Sequence, residues 1–187
     1  MKKIILALLF IYIHPGPANA QFKLPPIDKS PMDMSYCPDK YPVLKIQDKI
    51  TDPLVARVIY SRPQKNSRVI FGELVEYGKV WRLGANEATE IDFYQNVRIN
   101  DKKLRKGRYT MYCIPYNDKW TLIFNKEVDT WGAFKYDEKK DILRVDLPVT
   151  KQGEIMDAFV MAFQKTAKGA DLVIAWDDVK VALPIIY

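Results

Sequence analysis

The sequence predicts an all-β fold, an antiparallel β-sandwich or flattened barrel of about 8–10 strands behind an extended Pro-rich N-terminal arm. Three observations lead there. From Asp52 onward, short runs rich in β-branched and aromatic residues recur between turn residues. Several of these runs alternate apolar and polar positions, the period of a half-buried strand. No internal repeat or low-complexity tract interrupts the series.

The elements follow in order. The chain opens with Met1-Lys2-Lys3, an apolar run from Ile4 to Ile13, and Ala18-Asn19-Ala20 before Gln21. A basic start, a short apolar core and a small-x-small site make residues 1–20 a cleavable secretory signal peptide. Its apolar core is about ten residues, whereas a membrane helix needs about 20. No later stretch reaches spanning length, so no membrane span is expected. No Cys follows the core, which argues against a lipid anchor. The product is expected to be exported, to the periplasm or the extracellular space.

Cleavage changes the available chemistry. The single histidine, His14, lies in the signal peptide. Without it, Ser-His-Asp and Cys-His catalysis and His-based metal centres are excluded, and no cofactor or metal is expected. Proton transfer near neutral pH then falls to a perturbed carboxylate, Lys or Tyr. Loss of Lys2 and Lys3 reduces 29 basic residues to 27 against 23 acidic ones, a net charge of +4. The signs are interleaved. The densest basic stretch, Lys102-Lys103-Leu104-Arg105-Lys106, has turn composition, and no nucleic-acid partner is expected. An oxidising compartment permits a bridge between Cys37 and Cys113. A buried free thiol is also common for a mid-strand residue such as Cys113.

Residues 21–51 contain five prolines (Pro25, Pro26, Pro31, Pro38, Pro42) and read as an extended arm. Leu24, Met32, Met34, Tyr36, Tyr41, Val43 and Leu44 let it pack on the single β domain expected over 52–187. Predicted strands are Leu54–Tyr60, Arg68–Leu74, Thr89–Tyr94, Val97–Asn100, Arg108–Ile114, Trp120–Asn125, Ile142–Val149, Ile155–Gln164, Asp171–Trp176 and Lys180–Ile185. Trp120, Leu122 and Phe124 share one face, as do Leu143, Val145 and Leu147, and Leu172, Ile174 and Trp176. Turns are predicted at Asn100-Asp101, Asn117-Asp118, Lys168-Gly169 and Asp177-Asp178. Alternation of Phe159, Met161 and Phe163 favours a strand over 155–164, although Glu154, Met156, Ala158 and Ala162 permit a helix.

One segment, Val75 to Glu90, has the composition of a site. Gly78 and Gly84 bracket Trp81-Arg82, and Asn86 and Glu87 follow. Arg82 can fork to a carboxylate or phosphate. Trp81 can stack on a sugar, and Asn86 and Glu87 can hydrogen-bond polar groups. Arg62, held extended by Pro63, and Trp131, in the long 125–141 connection, are further candidates. The candidate ligand-binding set is therefore Arg62, Trp81, Arg82, Asn86, Glu87 and Trp131, with no catalytic residue assigned. A purely structural account stands beside it. Arg82 would pair with Glu87 or Glu90, Trp81 would plug one end of the sandwich, and Trp131 would pin its loop to the core.

The chain also carries Tyr60-Ser61-Arg62-Pro63-Gln64-Lys65, Tyr77-Gly78-Lys79-Val80-Trp81-Arg82, Gly84-Ala85-Asn86-Glu87-Ala88-Thr89, Gly107-Arg108-Tyr109, Ile114-Pro115, Ile123-Phe124-Asn125-Lys126 and Trp131-Gly132 in that order. In these residues it resembles a family of secreted bacterial proteins known only as a domain of unknown function, number 2911, from about residue 50 to 185. It departs at Leu83, where Thr is expected, and at Arg108 and Cys113. The resemblance implies an exported β domain and carries no activity.

Three functional readings result. The first is an envelope module that binds a small polar ligand or a glycan. The second is a structural domain whose arm or edge strand meets an envelope protein partner. The third is a His-free glycoside hydrolase with Glu87 set against Glu90, Asp92 or Asp137.

Overall fold

The computed structural model describes residues 22–187; the predicted signal peptide, with His14, lies outside the described residues. Ten strands form: β1 (Met32–Cys37), β2 (Ala56–Ser61), β3 (Glu90–Phe93), β4 (Val97–Ile99), β5 (Lys102–Leu104), β6 (Gly107–Pro115), β7 (Lys119–Asn125), β8 (Asp141–Pro148), β9 (Thr150–Thr166) and β10 (Gly169–Ile186). They make two antiparallel sheets, β1-β2-β3-β6-β7-β8 and β5-β4-β10-β9. The sheets face each other as a sandwich and do not close into a barrel.

Alternation builds the core. Leu143, Val145 and Leu147 of β8 are buried, while Arg144, Asp146 and Pro148 between and beyond them face solvent. The segment that permitted a helix is strand: Phe159, Met161 and Phe163 of β9 are buried on one face. Between the sheets the large rings meet. Trp120 touches Phe71 at 5.1 Å and Trp81 at 5.8 Å, and Phe159 meets Trp176 at 5.9 Å, centroid to centroid. Edge-on and tilted packing of this kind suits the ring quadrupoles.

The arm is not wholly extended. Its middle is β1, paired with β2 from Met32↔Ser61 to Cys37↔Ala56, and a short helix α1 (Tyr41–Ile46) follows. Side chains on this edge reach the other sheet. Ser35 Oγ and Tyr60 OH donate to the Met161 carbonyl at 2.8 and 3.1 Å, and Arg62 Nε donates to Phe159 O at 3.1 Å. Cys37 and Cys113 are both buried and free.

Three sequence expectations are corrected. Residues 68–74 form turns, not a strand: Gly72 adopts φ 97°, and only an isolated Phe71–Val75 bridge forms, although Ile70 is buried. Asp177-Asp178 is no turn. Asp177 adopts φ 56° where the β9–β10 register shifts, so 169–186 is one bulged strand. Lys102–Leu104 is a short strand that pairs with β4 across the Asn100-Asp101 turn.

Trp120 is 1% exposed at the centre of the ring cluster. Trp120→Ala is expected to cost about 3–5 kcal/mol of unfolding free energy, measured by urea denaturation. A loss below about 1 kcal/mol would mean that the ring cluster does not hold the sheets together.

Candidate functional site

The site is built outward from Trp81. β3 covers β6 only as far as Thr110, and the chain around Trp81 continues that edge. Trp81 N–H donates to Cys113 O at 2.7 Å, and Cys113 N–H donates to Trp81 O at 2.9 Å. The indole enters the core, stacked on Trp176 at 6.1 Å and edge-on to Trp120 and Phe159. Its Nε1 donates to Gly84 O at 3.1 Å, and the residue is 8% exposed. The expectation that Trp81 stacks on a ligand is corrected here: its faces are used by other rings.

After Trp81 the backbone winds tightly. Leu83 and Asn86 adopt φ of 56° and 58°, a region that non-glycine residues rarely occupy. Gly84 lies against β2, where a Cβ would sit 3.2 Å from Ser61 O. The turn is closed by Thr89 N–H to Arg82 O at 3.1 Å and by Thr89 Oγ1 to Leu83 O. Leu83 is fully buried, so the departure from Thr falls on a core position and takes no polar group from the side where Arg82 lies. Among the described residues, the backbone N–H groups of Leu83, Gly84, Ala85 and Asn86 donate to no protein acceptor.

Arg82 borders a cavity of about 360 Å³, together with Arg68, Asn86, Gly84, Ala85 and the edge of Trp81. No carboxylate lines it. Arg82 forms no ion pair among the described residues, and its Nε is buried without a partner. Burial holds its guanidinium pKa below the usual arginine range. Arg57 also has a partnerless buried Nε, but its guanidinium meets Asp92 at 2.7 Å. Arg68 donates to the backbone carbonyls of Lys65 and Gln64, which leaves its charge unneutralised. Sequence reasoning misses Arg68 because it assigns the residue to a strand. The turn-like Lys65-Asn66-Ser67 before it, which contains no acid, is the available signal.

The six candidates therefore divide. Trp81, Arg82 and Asn86 meet at this cavity. Arg62 is occupied elsewhere, bound to Phe159 O and to Asp33 at 3.0 Å. Glu87 and Trp131 form an antiparallel bridge and line a separate groove of about 320 Å³ with Met32, Ile59, Glu90, Arg108 and Asp129. Trp131 does not pin its loop to the core, being 62% exposed.

Three of the acids considered for hydrolysis are engaged by other partners. Glu90 accepts from Arg108 Nε and Asp129 N–H, both at 2.6 Å, and Asp92 pairs with Arg57. Asp137 caps a 3-10 turn through Lys139 N–H. Among the described residues no group of three or more His, Cys, Asp or Glu is placed to hold a metal, and no helix is long and apolar enough to cross a membrane.

The chain matches the family model described as "Protein of unknown function (DUF2911)" over residues 42–185, and it belongs to that family. No curated protein matches it, and no solved structure does.

Asn86 gives a test of the turn. Asn86→Val should cost about 1–2 kcal/mol, because a β-branched residue resists the left-handed conformation, while Asn86→Gly should leave the thermal midpoint unchanged. Equal losses in both variants would assign the effect to the amide side chain instead of the backbone.

Proposed function

We propose that the chain is an exported binding module that holds a small oxyanion-bearing ligand, a carboxylate or a phosphate, in the cavity beside Arg82. The observation that carries this reading is the unpaired Arg82 guanidinium with its sequestered Nε. A charged group partly withdrawn from water without a partner raises the energy of the free protein. An arriving oxyanion supplies the missing acceptor, and a guanidinium can meet it with two parallel hydrogen bonds.

The surroundings support the same chemistry. Arg68 adds a second positive charge, and no lining acid competes for either guanidinium. The undonated amides of Gly84, Ala85 and Asn86 and the Asn86 carboxamide are further hydrogen-bonding groups at hand. Runs of backbone N–H groups around left-handed residues commonly form anion-binding concavities. Export rests on the leader sequence, and a sandwich with a charged cavity suits that setting.

The test is a thermal-shift and calorimetric screen of residues 21–187 against phosphate, phosphate esters and mono- and dicarboxylates. A ligand at about 100 times its dissociation constant stabilises by roughly 2.7 kcal/mol. Arg82→Met should abolish that shift. It should also stabilise the ligand-free protein by about 1 kcal/mol, since an unsatisfied donor is removed. No shift with any oxyanion, together with a destabilised Arg82→Met variant, would sink the reading and make Arg82 a structural residue.

A further inference from the structure

We propose that the groove beside Trp131 is a second, independent site, and that it takes a neutral or amino-substituted oligosaccharide with one pyranose ring stacked on the Trp131 indole. Its floor is the outer face of the larger sheet. Met32 of β1 and Ile59 of β2 point outward there, and they line the groove with Glu90 of β3 and Arg108 of β6. Trp131 forms its wall from the 126–137 connection.

The wall is rigid. Ala88 N–H donates to Thr130 O at 3.0 Å and Gly132 N–H donates to Asn86 O at 2.9 Å, so hydrogen bonds fix the backbone on both sides of Trp131. Tyr112 OH meets Thr130 Oγ1 at 3.1 Å beneath it. A bulky ring held out in solvent on a fixed backbone loses little conformational freedom when it binds.

The rim is braced as well. Arg108 bridges Glu90 and Asp129, and the Asp129 amide donates to Glu90. These groups hold one another in place and keep spare lone pairs and N–H groups for hydroxyls. An aromatic wall, an apolar floor and a rim of planar polar groups match a pyranose, which has a C–H face and a hydroxyl edge. A second concavity of about 400 Å³, lined by Trp131, Phe134 and Lys135, adjoins the groove and shares Asp129, Thr130 and Trp131 with it. Phe134 is 85% exposed, so a chain crossing Trp131 meets a second ring.

The occupant is narrowed by exclusion. A peptide cannot add as a strand to β2 or β3 in the floor, because both are already paired on both edges. An acidic polymer is disfavoured, since Glu87, Glu90 and Asp129 face a single Arg108. This charge is opposite in sign to that of the Arg82 cavity, so the two sites sort ligands differently.

The molecule supplies its own probe. Of its four tryptophans, Trp81, Trp120 and Trp176 are buried and Trp131 is exposed, so acrylamide quenching reads Trp131. The probes are gluco-, manno-, galacto- and xylo-oligosaccharides and N-acetylhexosamine oligomers, titrated into residues 21–187. We expect at least one series to protect the emission saturably. Read by titration calorimetry, Trp131→Ala should weaken that binding at least about tenfold with the unfolding midpoint unchanged, and Trp131→Tyr should restore part of it. Arg82→Met should leave it intact, which separates this site from the oxyanion site. The proposal is overturned if no series protects Trp131, or if Trp131→Ala binds as well as the parent. It is also overturned if protection appears without sugar as protein concentration rises, which would assign the surface to a second copy of the chain.

Discussion

The burial of one indole governs both the sandwich and its cavity. Trp81 is not in a named strand, yet it fills the space where Trp120, Trp176 and Phe159 converge from the two sheets. A backbone bridge to Cys113 fixes its height on β6. Trp81 and Leu83 are buried on either side of Arg82, which is left facing the cavity. The guanidinium is thus placed by apolar packing on either side of it. The largest favourable term in folding positions the most polar group of the site, and the cost of Arg82's desolvation is offset by the rings beside it.

A second constraint acts at the open side of the sandwich. Edge strands expose unpaired carbonyls and amides that invite other chains to pair. Here β9 gives its Met161 and Phe159 carbonyls to Ser35, Tyr60 and Arg62, and it receives further backbone contacts from Pro63 and Lys65. The Pro-rich arm therefore closes this seam. Its strand β1 brings Ser35 and Asp33 there, and Asp33 in turn holds Arg62. The Arg62 side chain reads in sequence as a binding residue because it is an arginine beside a proline near a strand end. In the fold it is a clasp between two sheets.

Much of the architecture was legible because period-two alternation depends only on nearest neighbours. Leu143, Val145 and Leu147 or Trp120, Leu122 and Phe124 announce their face without reference to the rest of the chain. What escaped depended on distant partners. Residues 68–74 have strand composition, but Gly72 at φ 97° turns the chain back on itself, and no neighbouring strand is there to accept a ladder. Asp177 looks like half of a turn, and only the pairing with β9 shows it to be a bulge. For the site, sequence gathered the right segment and could not divide it. Asn86 and Glu87 are adjacent in the chain, yet the left-handed turn at Asn86 sends them to different concavities. Arg68 was missed because the strand composition after it outweighed the turn before it, whose carbonyls tether it.

The two cysteines carry a chemical consequence. Both thiols are buried, and burial raises the pKa of each, so little thiolate is available to react. Cys113 lies where Trp81 bridges to β6 and is fully buried. Thiol protection in this protein is therefore a property of the closed sandwich alone. Before the sandwich closes, neither thiol has this protection. Once the chain is folded, alkylation of Cys113 counts how often the two sheets part.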